Sequence, residues 1–127
     1  MSSPNALIID DRRSNIDVLA MLLAEQGVTS TAVEGPSHIA DALRQATQID
    51  VVFLDLEFPN QNGLNLIRQL RAEPRLRGVP IVAYTVHTSE INEAKAAGFD
   101  SFLGKPLDAK QFPGQLRRIL AHEAVWE

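Results

Sequence analysis

The chain has 127 residues, 45% of them hydrophobic and 22% charged, and sixteen acidic against twelve basic side chains give a formal net charge of −4. That length suits one domain of the usual ~100–200 residues, and the acidic balance argues against non-specific nucleic-acid binding, which needs a basic footprint. No uncharged apolar run nears the ~20 residues of a membrane span, and the lack of Cys excludes thiol catalysis, zinc–thiolate sites and disulfide frameworks.

At the N-terminus, MSSPNALIIDD has no basic start and meets an acidic pair after a very short apolar run, unlike a signal peptide. A soluble cytoplasmic domain is expected. Ala6, Leu7, Ile8 and Ile9 read as a buried strand ending at Asp10 and Asp11. Over residues 14–26, Ile16, Leu19, Leu22 and Leu23 recur at helical spacing, with Ser14 as N-cap and Gly27 as the stop. A Thr-rich strand over residues 28–33 follows, and Ser37 can cap a second helix bearing Ile39, Ala40 and Leu43. Val51, Val52, Phe53 and Leu54 make the clearest buried strand and run into Asp55.

After the turn-forming residues 59–63, a third helix carries Leu66, Ile67 and Leu70 and stops before Pro74. Ile81, Val82, Ala83 and Tyr84 form a fourth strand ending at Thr85. A helix from about Ser89 follows, with Glu90 and Glu93 near its positive end and Gly98 as C-cap. Ser101, Phe102 and Leu103 are a short fifth strand, and Asp108 and Gln111 have capping-box spacing for the last helix. Pro113 and Gly114 fall in its second turn; Pro costs about 3 kcal/mol in a helix interior, so this helix starts late or is kinked. Trp126, in the terminal stretch 122–127, reads as part of a frayed tail.

Five strands alternating with five helices imply a parallel sheet covered on both faces. Such sheets bind ligands beyond the carboxyl ends of their strands. Asp10, Asp11, Asp55, Thr85 and Lys105 all end or follow a strand, so they gather at one edge. Three close carboxylates repel unless something neutralises them. A hard divalent cation takes oxygen ligands, and with Lys105 added the formal charges cancel. The set suits phosphoryl transfer, with a carboxylate as acceptor and the Thr hydroxyl donating to the phosphoryl group. His87 reads as a solvated loop residue, and Arg12 with Arg13 as a solvated pair.

The ordered motifs point to a family. They are Asp10 and Asp11 with Asn15 beyond; Asp55, Leu56, Glu57, Phe58 and Pro59 with Gly63 four residues on; Thr85 after its apolar strand; and Gly104, Lys105 and Pro106 after the fifth strand. Together they resemble the response-regulator receiver domain of two-component signalling. The likeness covers about residues 5–122, making residues 1–127 one domain with a short C-terminal tail.

This resemblance implies a flavodoxin-like, doubly wound five-stranded parallel sheet of order 2-1-3-4-5 with five helices. It implies Asp55 as the phosphorylated residue. Mg²⁺ would be bound directly by Asp11, mainly through water by Asp10, and by the backbone carbonyl of Glu57, with Asp55 also in the metal set. Thr85 and Lys105 would contact the phosphoryl group, and Thr85 with Phe102 would form the switch, Phe102 turning inward on activation. The Lys105–Pro106 peptide would be cis, at about 0.5–1 kcal/mol for an X–Pro bond.

The implied donor is a phosphohistidine on a sensor histidine kinase or histidine phosphotransfer protein. The implied output is a downstream protein partner or output domain, reached without nucleic acid or membrane. It would dock on Ile91, Asn92 and Lys95 of helix four, strand five, and Gln111, Gln115 and Arg118 of helix five. Such a domain is no enzyme beyond accepting and slowly losing its own phosphoryl group. Val86 departs from the small residue usual after the switch Thr, and Glu57 and His87 flank the site where they bear on phosphoryl lifetime.

Two other readings stand beside it. One is a phosphorylation-independent interaction module on the same scaffold, which Val86, Glu57 and Pro113 would suit. The other is a small aspartyl phosphohydrolase with Glu57 as acid/base, for which the length leaves no cap domain. With little chain after the last helix, either a stand-alone receiver or a piece of a longer protein is expected.

Overall fold

The computed structural model describes residues 3–46, 48–58 and 61–127. The apolar runs become five strands: β1 (Asn5–Ile9), β2 (Thr29–Val33), β3 (Val51–Asp55), β4 (Ile81–Thr85) and β5 (Ser101–Gly104). They pair in the order β2-β1-β3-β4-β5, every pair parallel. Between and after them lie α1 (Arg13–Glu25), α2 (Ile39–Gln45), α3 (Gly63–Arg71), α4 (Ile91–Ala97) and α5 (Phe112–Leu120).

Successive strand residues point to opposite faces. Leu7, Ile9, Val52 and Leu54 therefore pack under α2, α3 and α4, against Leu43, Leu66, Ile67 and Ala94. Ala6, Ile8, Phe53 and Tyr84 pack under α1 and α5, against Ile16, Leu19, Phe112 and Leu116. Burial on both faces is why β3 and β4 are continuous apolar runs rather than alternating ones.

The helix starts differ from the sequence reading, each for a local reason. Arg12, with extended φ −106° and ψ 113°, occupies the cap position of α1, so Ser14 lies inside the first turn. A 3₁₀ turn, Thr88–Glu90, precedes α4, which begins at Ile91 rather than Ser89. Gly98 ends α4 at φ 105°, as expected. In α5 the late start holds: Pro113 sits in the first turn, where its missing N–H has no helical partner to lose. Asp108 Oδ1 accepts the Lys110 N–H at 2.8 Å, while the Gln111 N–H donates to the Asp108 carbonyl. That is a side-chain turn, not the expected capping box.

Pro59 and Asn60 lie outside the described residues. On either side of them, Glu57–Phe58 and Gln61–Asn62 pair as a short antiparallel ribbon. This ribbon brings Gly63 against the back of β3. A Cβ on Gly63 would lie 2.6 Å from Leu56 Cα and 2.7 Å from the Asp55 carbonyl oxygen. Both neighbours are backbone and cannot yield cheaply. Gly63→Ala is expected to cost about 1–3 kcal/mol or more by overpacking, read as a lowered midpoint in urea. An unchanged midpoint would refute that close approach.

The C-terminal stretch is docked, not frayed. After α5 the backbone turns at His122, φ 65°, and residues 125–127 run parallel to β5 through a bridge between Trp126 and Phe102. The outer edge of β5, where an unpaired strand would invite association, is thus partly covered.

Candidate functional site

The loop after β1 places Asp10 at the bottom of the edge, 0% exposed. Its Oδ1 accepts the Arg12 N–H at 2.8 Å, and its Oδ2 accepts the Tyr84 hydroxyl at 2.7 Å and Lys105 Nζ at 3.4 Å. Asp11 follows, half-buried. Asp55 ends β3; its Oδ1 accepts Lys105 Nζ at 3.3 Å and the Glu57 N–H at 3.2 Å. One carboxylate oxygen from each of Asp10, Asp11 and Asp55 lies within 4.8 Å of the others. The expected acids and Lys105 do converge.

Burial pushes the Asp55 carboxyl up to about 6, with the charge of Asp10 adding to it; Lys105 and the Glu57 N–H pull the other way. Three clustered carboxylates face one lysine. The uncompensated charge and the all-oxygen donor set fit a hard divalent cation such as Mg²⁺.

Thr85, fully buried, does not cap the next helix. Its hydroxyl donates to Glu57 Oε1 at 2.9 Å and accepts the His87 N–H at 3.2 Å. His87 is not merely solvated, since its Nε2 lies 3.3 Å from the same Glu57 oxygen. The Glu57 side chain, two residues beyond Asp55, thus holds the hydroxyl that the sequence reading assigned to a phosphoryl group. A cavity of about 260 Å³ opens above Asp55, lined by Arg12, Asn15, Glu57, Val86, Lys105 and Pro106. Val86 is exposed on its rim rather than filling it. The Lys105–Pro106 peptide is cis.

Phe102 is 0% exposed, its ring in the core shared with α2, α3 and α4. One expectation about the output face changes. Gln115 is buried, and with Arg118 it binds Glu127 of the tail. Those two side chains are not free surface.

Tyr84 is the functional residue that the sequence reading counted only as strand. It is the chain's single tyrosine, in an otherwise aliphatic run, and a buried phenol needs a partner. Its hydroxyl holds Asp10, and Lys105 Nζ lies 4.3 Å from its ring centre. Burial and then the charge of Asp10 raise its pKa, so the phenol stays a proton donor.

Comparison with known proteins agrees with this geometry. Residues 6–117 match the family described as Response regulator receiver domain. Sensory transduction protein RegX3 of Mycolicibacterium smegmatis is 34% identical over 123 residues, covering 94% of this chain and 52% of that protein. The chain thus spans about half the length of that relative. Chemotaxis protein CheY4 of Vibrio cholerae shares the fold with a TM-score of 0.83 at 22% identity, covering 93% of this chain and 99% of that one. The receiver domain of a Pseudomonas aeruginosa sensor histidine kinase, solved with a magnesium ion coordinated in its active-site cleft, has a TM-score of 0.81 at 23% identity, covering 94% and 99%. The family match runs from β1 into α5 and takes in every strand-end residue described above: this chain belongs to the response regulator receiver domain family.

Proposed function

We propose that this receiver accepts a phosphoryl group on Asp55 from a phosphohistidine of a sensor histidine kinase or histidine phosphotransfer protein. It would act in the cytoplasm and pass the change to a downstream protein partner or output domain. No helix among the described residues is long and apolar enough to cross a membrane. The observation that carries the reading is the setting of Asp55: nearly buried, 3.3 Å from Lys105, beside two further acids and beneath an open cavity.

In the transfer, an Asp55 oxygen bonds to phosphorus as the donor's P–N bond breaks, its electron pair leaving on the imidazole nitrogen. With its pKa near 6, Asp55 is mostly ionised at neutral pH and available as nucleophile. Asp10, Asp11, Asp55 and the Glu57 backbone carbonyl would hold Mg²⁺, which supplies positive charge beside the phosphoryl oxygens. Lys105 offsets charge from the other side. Thr85 has one proton and two competing acceptors, Glu57 now and the phosphoryl oxygen afterwards; that choice is the switch. Glu57 and His87 stand beside this exchange and influence how long the phosphoryl group persists.

Incubation with acetyl phosphate and Mg²⁺, followed by mass mapping, should find one phosphoryl group, on Asp55, and none on Asp55→Asn. A hydroxylamine-sensitive phosphoryl group on Asp55→Asn would sink the assignment, and repeated turnover of the donor would favour a phosphohydrolase instead.

Mg²⁺ binding distinguishes the paired acids. Asp10 already accepts bonds from Arg12, Tyr84 and Lys105, whereas Asp11, half-buried, brings its carboxylate within 4.8 Å of the other two acids. Asp11→Ala is expected to weaken Mg²⁺ by on the order of tenfold or more, and Asp10→Ala to weaken it less while costing more stability. Calorimetric titration checks this; equal losses of affinity at the two positions would contradict it.

A further inference from the structure

The last three residues bind β5 like a ligand. Phe102 N–H donates to the Val125 carbonyl at 2.7 Å, and Glu127 N–H donates to the Phe102 carbonyl at 2.9 Å. Val125 N–H donates to Ser101 Oγ at 2.9 Å. Strand alternation sends the side chains to opposite sides. Val125 is buried in the core under α1 and α5, while Trp126 packs against the other core with Lys95 Nζ of α4 5.0 Å from its ring centre. The Glu127 carboxylate accepts Gln115 Nε2 at 2.7 Å and Arg118 Nη2 at 3.1 Å, both from α5. Three residues therefore tie α4, β5 and α5 together.

The segment joining them to α5 is different. Ala121, His122, Glu123 and Ala124 are all exposed, and His122 stands at φ 65°. The N–H groups of Ala121, His122 and Glu123 donate to carbonyls of Arg117, Ile119 and Arg118 and so close the end of α5. What holds residues 125–127 on β5 is therefore their own docking contacts, beyond this capped turn.

Docking and the acidic site share a strand end. Phe102 pairs with Ala83 and Gly104 with Thr85 in the β4–β5 register, and the Lys105 N–H donates to the Thr85 carbonyl at 2.9 Å. A Cβ on Gly104 would lie 2.9 Å from Thr88 Cγ2 and 3.6 Å from the Glu127 carbonyl oxygen. Glu127 thus lies against Gly104, the residue before the site lysine. A ligand touching three elements is complementary to one arrangement of them, so a relative shift of α4, β5 and α5 weakens it.

We propose that the β5 edge is a strand-docking site whose resting occupant is the chain's own residues 125–127, and that filling the Asp55 pocket releases them. The coupling rests on the phosphoryl-acceptor reading. The tail's bonds are to the Phe102 main chain, so docked and released forms differ there. A released edge presents the Phe102 N–H and carbonyl between Lys95 and Arg118, so it suits an extended segment carrying a carboxylate.

Trp126 is the only tryptophan and reports the tail directly. Beryllofluoride with Mg²⁺, added to the full chain, should shift the amides around Asp55, raise acrylamide quenching of Trp126 at least threefold, and speed exchange of the Phe102 amide. Coupling is reciprocal, so a chain ending at residue 124 should bind beryllofluoride more tightly, by up to the factor by which beryllofluoride weakens docking of residues 125–127. Glu127→Ala, which removes the side-chain bonds to Gln115 and Arg118 of α5, should move both readouts the same way if the shortened chain does not fold. Amide shifts at Asp55 with quenching and Phe102 exchange unchanged would overturn the release while leaving the acceptor reading standing. No amide shifts at Asp55 would overturn the acceptor reading, and the coupling with it.

Discussion

Without metal at pH 7, Asp55→Asn is expected to be more stable than the parent chain by on the order of 3 kcal/mol, since a tenfold change in proton affinity corresponds to about 1.36 kcal/mol. The folded chain raises the Asp55 carboxyl from 3.8 to about 6, chiefly by burial and then by the charge of Asp10. The sign follows from proton binding: the folded state holds this proton more tightly than the unfolded state, so ionisation opposes folding. The penalty is absent below pH 3.8, grows as pH rises toward 6, and is complete above it. Asn carries no charge, and its carbonyl can still accept from Lys105 and the Glu57 N–H. The gain should therefore vanish near pH 4 and be full by pH 7. Mg²⁺ should narrow it at pH 7, because the ion neutralises the carboxylates of the parent. Urea midpoints across this pH range in EDTA provide the test. A gain independent of pH would mean that Asp55 ionisation is not what strains the site.

The sheet was legible because strands buried on both faces must be nearly continuous apolar runs, as Val51, Val52, Phe53 and Leu54 are. The acid set was legible from topology: parallel strands deliver their carboxyl ends, and so Asp10, Asp55, Thr85 and Lys105, to one edge. Tyr84 was missed because strand alternation sends its ring under α1 and α5, while its hydroxyl reaches along the sheet to Asp10. Only the requirement that a buried phenol find an acceptor points there. The Thr85–Glu57 bond was missed because it joins residues 28 apart through side chains alone. The tail is harder still. Three residues have no readable period, and their partners, Ser101, Lys95, Gln115 and Arg118, are scattered over three elements. Helix starts were misplaced where the cap was a backbone geometry, as at Arg12, rather than a capping side chain.

Lys105→Met should have the opposite sign to Asp55→Asn, and a size of about 3–5 kcal/mol at pH 7 without metal. Lys105 is only 11% exposed, and its Nζ lies 3.4 Å from Asp10 and 3.3 Å from Asp55. Methionine keeps much of the apolar stem but leaves both carboxylates without their cation, and it forfeits the contact with the Tyr84 ring, worth about 0.5–2 kcal/mol. Two further results separate lost charge balance from simple misfolding. Mg²⁺ should restore more stability to Lys105→Met than to the parent, since the ion then supplies the missing counter-charge. The double variant with Asp55→Asn should be more stable than Lys105→Met alone, by more than Asp55→Asn gains in the parent. Lys105 and Asp55 are in contact, so their effects are coupled rather than additive. Removing the acid removes part of what the lysine balances. Strict additivity in the cycle, or a parental urea midpoint for Lys105→Met in EDTA, would show that the lysine does not hold these charges together.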